Sequence, residues 1–121
     1  MNRQSALHSF FGSLGLRAYP SDSVPQGAEM PYIAYTLFVA DSMGETAIEV
    51  NVWFRTASSA VPNAFCDSVA KAVGMGGKVI AHDGGATWIK RGSPLWYSVE
   101  DDDPAIKRRT INLTAENIGD F

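Results

Sequence analysis

The chain is short of the residues that do chemistry. Its 121 residues include one cysteine, Cys66, and two histidines, His8 and His82. One cysteine excludes an internal disulfide. A metal centre needs three or four His, Cys, Asp or Glu ligands around one point. The best set that can be gathered, His82, Asp83 and Cys66, has no spacing that supports it. A nucleophile pair from Cys66 and His82 is equally weak, because Cys66 falls on the apolar side of a helical pattern, where a free cysteine is a small buried side chain. No catalytic residue, metal or cofactor is therefore expected, and the chain is not expected to be an enzyme. No apolar run approaches the roughly 20 residues of a membrane span. His8 and two serines break up the N-terminal stretch that a signal peptide would need to be apolar. The expectation is a protein made and used in a cytoplasm-like compartment, with no membrane partner. Charged residues are sparse at 19 %, with a net charge of −3, which argues against general affinity for nucleic acid.

Apolar residues make up 45 % of the chain, with three Trp, four Tyr and six Phe. That is a globular composition. The length suits a single domain over residues 1–121.

The periodicities give an element order. Leu7, Phe10, Phe11 and Leu14 recur at i, i+3, i+4, i+7 and predict a helix from about Arg3 to Leu14, with Gly15 as its C-cap. Arg17 to Met30 reads as a turn-rich linker. Pro31 opens a strand predicted over Tyr32 to Ala40, with apolar residues on both faces. Asp41-Ser42-Met43-Gly44 reads as a hairpin connection. Thr46 to Arg55 alternates cleanly, with Ile48, Val50, Val52 and Phe54 on one side and Glu49, Asn51 and Trp53 on the other. A second helix is predicted from Ala60 to Val73, capped by Ser58 or Ser59 and stopped by Gly74, with Val61, Phe65, Val69 and Val73 on its buried stripe. Four short strands follow: Lys78–Ala81, Ala86–Arg91, Leu95–Val99 and Ile106–Glu116. The fold class expected is α+β, a single mostly antiparallel sheet with two helices packed on one face. The other face would meet solvent or a subunit, with Trp53, Trp88 and Trp96 as candidates to stand on it.

Two motifs invite chemistry and fail. Gly74-Met75-Gly76-Gly77 follows a helix and precedes a strand, the reverse of a phosphate-binding loop. His82-Asp83-Gly84-Gly85 is a hairpin turn. The acidic run Glu100-Asp101-Asp102-Asp103 lies just before Lys107-Arg108-Arg109. It reads as a solvated hairpin tip, as a cation site without the ligand spacing of a calcium hand, or as one half of a subunit contact. In that last reading the acidic block of one copy meets Lys107, Arg108 or Arg109 of the next, which suits a head-to-tail ring. Tyr32 and Trp53 join these residues as candidate interface positions.

Several stretches taken together resemble one family. Tyr19-Pro20, Val24-Pro25 and Pro31-Tyr32-Ile33-Ala34-Tyr35 lie between the first helix and the first strand. Glu49 to Thr56, Ala64 to Ala70, Trp88 to Pro94 and Arg108 to Asn117 follow in order. Over essentially its whole length the chain is similar to the tail terminators of long-tailed bacteriophages and prophages, the minor tail protein U-like group. The resemblance implies a homo-hexameric ring that caps the tail tube, halts its polymerisation and offers the surface that joins the head connector or head-completion protein. It also implies a location at the head-proximal end of the virion tail after synthesis in the bacterial host cytoplasm. Genome DNA would pass through the ring without specific binding. The competing readings are a tail-tube subunit or head-completion protein of the same particle, a small enzyme or ligand-binding domain, and a nucleic-acid binder using Lys90, Arg91, Lys107, Arg108 and Arg109.

Overall fold

The computed structural model describes residues 1–38 and 45–119. The elements run α1 (Arg3–Gly12), β1 (Arg17–Pro20), β2 (Tyr32–Leu37), β3 (Glu45–Arg55), α2 (Ala60–Val73), β4 (Lys78–His82), β5 (Gly85–Val99) and β6 (Ile106–Ile118). The strands form one six-stranded sheet in the order β1-β2-β3-β6-β5-β4. The pairing of β1 with β2 is parallel and the others are antiparallel, so the sheet is mixed. The expected hairpin connection at Asp41-Ser42-Met43-Gly44, and the strand end at Val39 and Ala40, fall outside the described residues.

Both helices cover the same face. Alternate residues of β3 (Ile48, Val50, Val52, Phe54) and of β6 (Ile111, Leu113, Ala115) share one apolar cluster with Leu7, Phe10 and Phe11 of α1 and Cys66, Val69 and Val73 of α2. Phe11 stacks on Tyr35 with ring centroids 4.5 Å apart. Burying side chains of this size, at about 1.5–3 kcal/mol each, is the main term holding helices to sheet.

Four expectations are corrected. The linker contains a strand, since Arg17–Pro20 pairs with Tyr32–Tyr35 and Ala18 packs against the core. Helix α1 ends at Gly12 with Ser13 as its C-cap, and Gly15 (φ 104°) serves the following turn. Val61 is 60 % exposed, while Pro62, Cys66, Val69, Ala70 and Val73 form the buried stripe of α2. The two strands expected at 86–91 and 95–99 are one long strand, β5, whose register against β6 shifts between Arg91 and Trp96.

That bulge has a local cause and a consequence. A Cβ on Gly92 would lie 2.7 Å from the Asn112 carbonyl oxygen, so only glycine lets β5 pass so close to β6. Asn112 Nδ2 then donates to the Pro94 carbonyl across the bulge (2.9 Å). The extra residues shift the in–out alternation of β5. Trp96 therefore pairs with Ile111 and packs against the helix-side core, not on the open face where alternation from Trp88 would put it.

Candidate interface on the open face of the sheet

The face without helices carries side chains in rows that cross the strands. One row reads Arg17, Tyr32, Trp53, Arg108, Val99, in the strand order β1, β2, β3, β6, β5. The next reads Tyr19, Ala34, Asn51, Thr110, Tyr97. Opposed positions on neighbouring strands lie close enough for side chains to touch, and here they do. Tyr32 stacks on Trp53 at 5.2 Å and 21°, and Tyr19 meets Tyr32 edge-on at 6.1 Å. The Arg108 guanidinium lies over the Trp53 ring at 4.9 Å, a contact worth about 0.5–1 kcal/mol where solvent reaches it and more where it does not.

Beneath this layer is a buried polar network. Thr110 Oγ1 donates to Asn51 Oδ1 (2.7 Å), Arg108 Nη2 donates to the same oxygen (3.3 Å), and Asn51 Nδ2 donates to Glu49 Oε1 (2.8 Å). Asn51 and Thr110 are 6 % and 2 % exposed, so the network fixes the register of β3 against β6. Arg108 Nε is buried with no hydrogen-bond partner among the described residues, its guanidinium lying between the Trp53 ring and the bond to Asn51.

At the far end of the same face Lys90 lies over the Trp88 ring (4.4 Å) and pairs with Glu45 and, at 3.6 Å, with Glu116. The hydrogen bond to Glu45 raises the Lys90 ammonium above its ordinary value; desolvation opposes it, and the charges of Glu45 and Glu116 add to the rise.

Tyr32, Trp53 and Arg108 are brought together. Arg109, their sequence neighbour, is only 4 % exposed and faces the helices. Its guanidinium donates to Asn63 Oδ1 of α2 (3.1 Å) and to the Arg108 carbonyl (3.0 Å) and lies near the Trp96 ring. Strand alternation thus removes Arg109 from the basic block that was expected to meet acidic residues of another copy. Glu100 to Asp103 form the exposed connection from β5 to β6. Asp101 Oδ1 accepts from the Asp103 amide and Asp103 Oδ1 from the Ala105 amide, two local turns. Asp103 also pairs with Arg55 at 3.7 Å, and Lys107 Nζ donates to the Pro104 carbonyl.

The nucleic-acid reading loses its patch in the same way. Arg91 donates to the Ala70 carbonyl at the end of α2 (2.7 and 3.2 Å), where a cation complements the helix dipole. Lys90 is held by carboxylates and Arg109 is buried, so the five basic residues do not share a surface.

Cys66, His82 and Asp83 each have a defined place in the fold. Cys66 is fully buried, and burial pushes its thiol up to about 11 despite the opposing charge of Arg109, so it stays protonated at neutral pH. His82 is bound to Thr87 Oγ1 (2.9 Å) and to the Asp83 carbonyl, while Asp83 pairs with the N-terminal ammonium. No group of three or more metal-ligating side chains occurs among the described residues. A groove of about 530 Å³ lies between Gln4, Pro20–Ser23 and Tyr35–Leu37. Its phenol, Tyr35, is bonded to His8 Nδ1 (2.7 Å), and burial followed by the charge of Asp22 raises its pKa, the opposite of what an activated phenolate needs.

The row of Tyr32, Trp53 and Arg108 was only partly readable. Each residue stood out singly, but their meeting depends on the registers of β2 with β3 and β3 with β6. Tyr19 carries no signal in the sequence, because the stretch that forms β1 reads as a linker.

No family model matches this sequence, and no curated protein does. Among solved structures, a chain in the virion of a native gene transfer agent particle has the same fold, with a TM-score of 0.68 and 18 % sequence identity. The match covers 98 % of this chain and 96 % of that one. At that identity the likeness is one of fold, and it extends over the whole architecture.

Proposed function

We propose that this chain is a structural protein of a phage-type virion and, within that class, the tail terminator. On this reading it forms a homo-hexameric ring at the head-proximal end of the tail, caps the tail tube and presents the tail side of the joint to the head connector. The observation that carries the reading is the end-to-end fold match to a chain of a phage-like particle. It agrees with the sequence resemblance to tail terminators.

The chemistry of the chain supports assembly over catalysis. Its cysteine is buried as a thiol, its histidines are engaged in structural bonds, and its unusual surface is a row of aromatics and one arginine. Large rings and arginine are the residue types that dominate protein contacts. A ring that passes DNA also gains from leaving its basic residues dispersed, because clustered Lys and Arg are what grip the phosphate backbone.

A tail-tube subunit of the same particle is the second reading, favoured by the same fold match. Negative-stain electron microscopy of the purified chain over a range of concentrations separates the two. Closed rings of about six copies with an open centre are expected of the terminator. Long tubes would transfer the assignment to the tube subunit. Compact particles without a central opening at every concentration would count against both.

A further inference from the structure

The two ends of the sheet are unequal to the strands that close them. At one end β1 has only four residues, and a groove of about 480 Å³ opens beside Leu16–Tyr19 toward His8 and Gly12 of α1. At the other end β4 covers only Gly85–Ile89 of the fifteen-residue β5. Beyond the bulge, among the described residues, no strand pairs with the outer side of Trp96–Val99. A second groove, of about 280 Å³, lies at the same end of the β5–β6 pair but on its helix side, between Ser98–Asp101, Ile106 and Arg109 of β6, and Ser59 before α2. Unpaired strand edges of this kind are templates for another strand.

We propose that copies of this chain join head to tail by sheet extension, the outer edge of β1 in one copy pairing antiparallel with Trp96–Val99 of the next. The proposal rests on the ring reading only for closure of the assembly. The directions follow from the topology. Strand β1 runs parallel to β2 and β6 and antiparallel to β3 and β5. A copy related by rotation about a ring axis therefore brings its β1 antiparallel to the preceding β5, with the same face turned the same way.

The face rule then restricts the register. Arg17 and Tyr19 stand on the open face, as do Val99 and Tyr97, whereas Ala18 and Trp96 stand on the helix face. A register that continues the existing rows sets Arg17 opposite Val99, Ala18 opposite Ser98 and Tyr19 opposite Tyr97. Three independent features fit that register. Arg17 is exposed, has no ion pair among the described residues, and comes to lie beside Glu100 and Asp101 of the neighbour. Tyr97, 45 % exposed in the single chain, gains Tyr19 and prolongs the aromatic row through Tyr32 and Trp53. Pro20, which has no N–H to donate, falls at the end of the ladder. A contact using two different edges is heterologous and generates rings or filaments, not closed two-fold dimers.

The test is cysteine cross-linking in the full chain, with the wild type, whose only thiol is buried, as control. Opposed residues in an antiparallel pair lie within disulfide reach. Tyr19→Cys mixed with Tyr97→Cys, after mild oxidation, is expected to give a covalent dimer that neither variant gives alone. The double variant is expected to give a ladder of larger species. As a second arm, Arg17→Glu is expected to abolish the assembly and Asp101→Arg to restore it in the double variant. Cross-linking by Tyr97→Cys alone would mean that the edge meets its own copy and would overturn the proposal. Rings in the microscope with no mixed cross-link and no charge-swap rescue would overturn it and leave the ring reading standing. A mixed cross-link without rings would uphold the edge contact and remove ring closure.

Discussion

On the helix side of the sheet Leu7, Phe11, Ile48, Val50, Ile111 and Leu113 have at most 1 % of their surface exposed. One position along the same strands, on the other side, Trp53 and Arg108 are partly exposed, and Tyr97 is nearly half exposed. The first face is apolar nearly throughout and closed by two helices. The second is aromatic and polar, has no layer over it, and is held by stacking and by the Asn51 network. The contrast separates the face whose residues pack against the helices from the face that carries no layer in the single chain. Tyr19, Tyr32, Trp53, Trp88 and Tyr97 share that uncovered face. Arg108 and Arg109 place the contrast within two consecutive residues, one on each side.

The comparison can be broken first on the covered face. Phe11→Ala removes a fully buried ring and is expected to cost about 3–5 kcal/mol, read from urea unfolding; a cost below 1 kcal/mol would mean the helix side is not the core. Next come the two arginines. Arg109→Ala strips a buried hydrogen-bonded group from α2 and is expected to cost about 1–3 kcal/mol. Arg108→Ala loses mainly its contact with Trp53 and is expected to cost about 0.5–1 kcal/mol. Equal costs would erase the distinction between the faces.

A pH series sharpens the same point. The folded chain holds the Cys66 proton up to about pH 11, against an ordinary value of 9.0. The protonated thiol therefore stabilises the fold fully below about pH 9, and that contribution is lost as the pH rises through 11. Tyr35 and Lys90, both shifted upward, act in the same alkaline direction. Cys66→Ala is expected to flatten the decline above pH 9 without abolishing it, measured as Tm against pH. A slope unchanged by this substitution would place the thiol in water. The smallest effect belongs to Asp102→Asn, at an exposed loop position without hydrogen bond or ion pair among the described residues, where the change in stability should stay within about 0.5 kcal/mol. A larger change would give the acidic run a role in folding.

Much of this was legible in the residues. The alternation of Ile48, Val50, Val52 and Phe54 gave the buried side of β3, and the apolar spacing from Leu7 gave the buried side of α1. Helix α2 spans the Ala60 to Val73 that its pattern predicts, but its buried stripe is rotated from the predicted one, because Val61 is apolar yet packing turns it outward. Strand β1 escaped for a physical reason. Four residues ending in proline carry almost no periodic signal, and their strand character comes from the parallel partner Tyr32–Tyr35. The glycine and proline at 92–94 signalled a break, but long pairing with β6 on both sides absorbed them as a bulge. The open-face row was out of reach, since Tyr32, Trp53 and Arg108 become neighbours only through registers that sheet assembly decides.

Native mass spectrometry of the wild-type chain over a concentration series tests the central claim most directly. The account predicts one discrete closed oligomer of about six copies growing in at the expense of monomer, with no stable dimer, because each contact joins two different edges. A dimer that persists as the terminal species would contradict it, since that would mean the contact is two-fold and the sheet ends do not join head to tail.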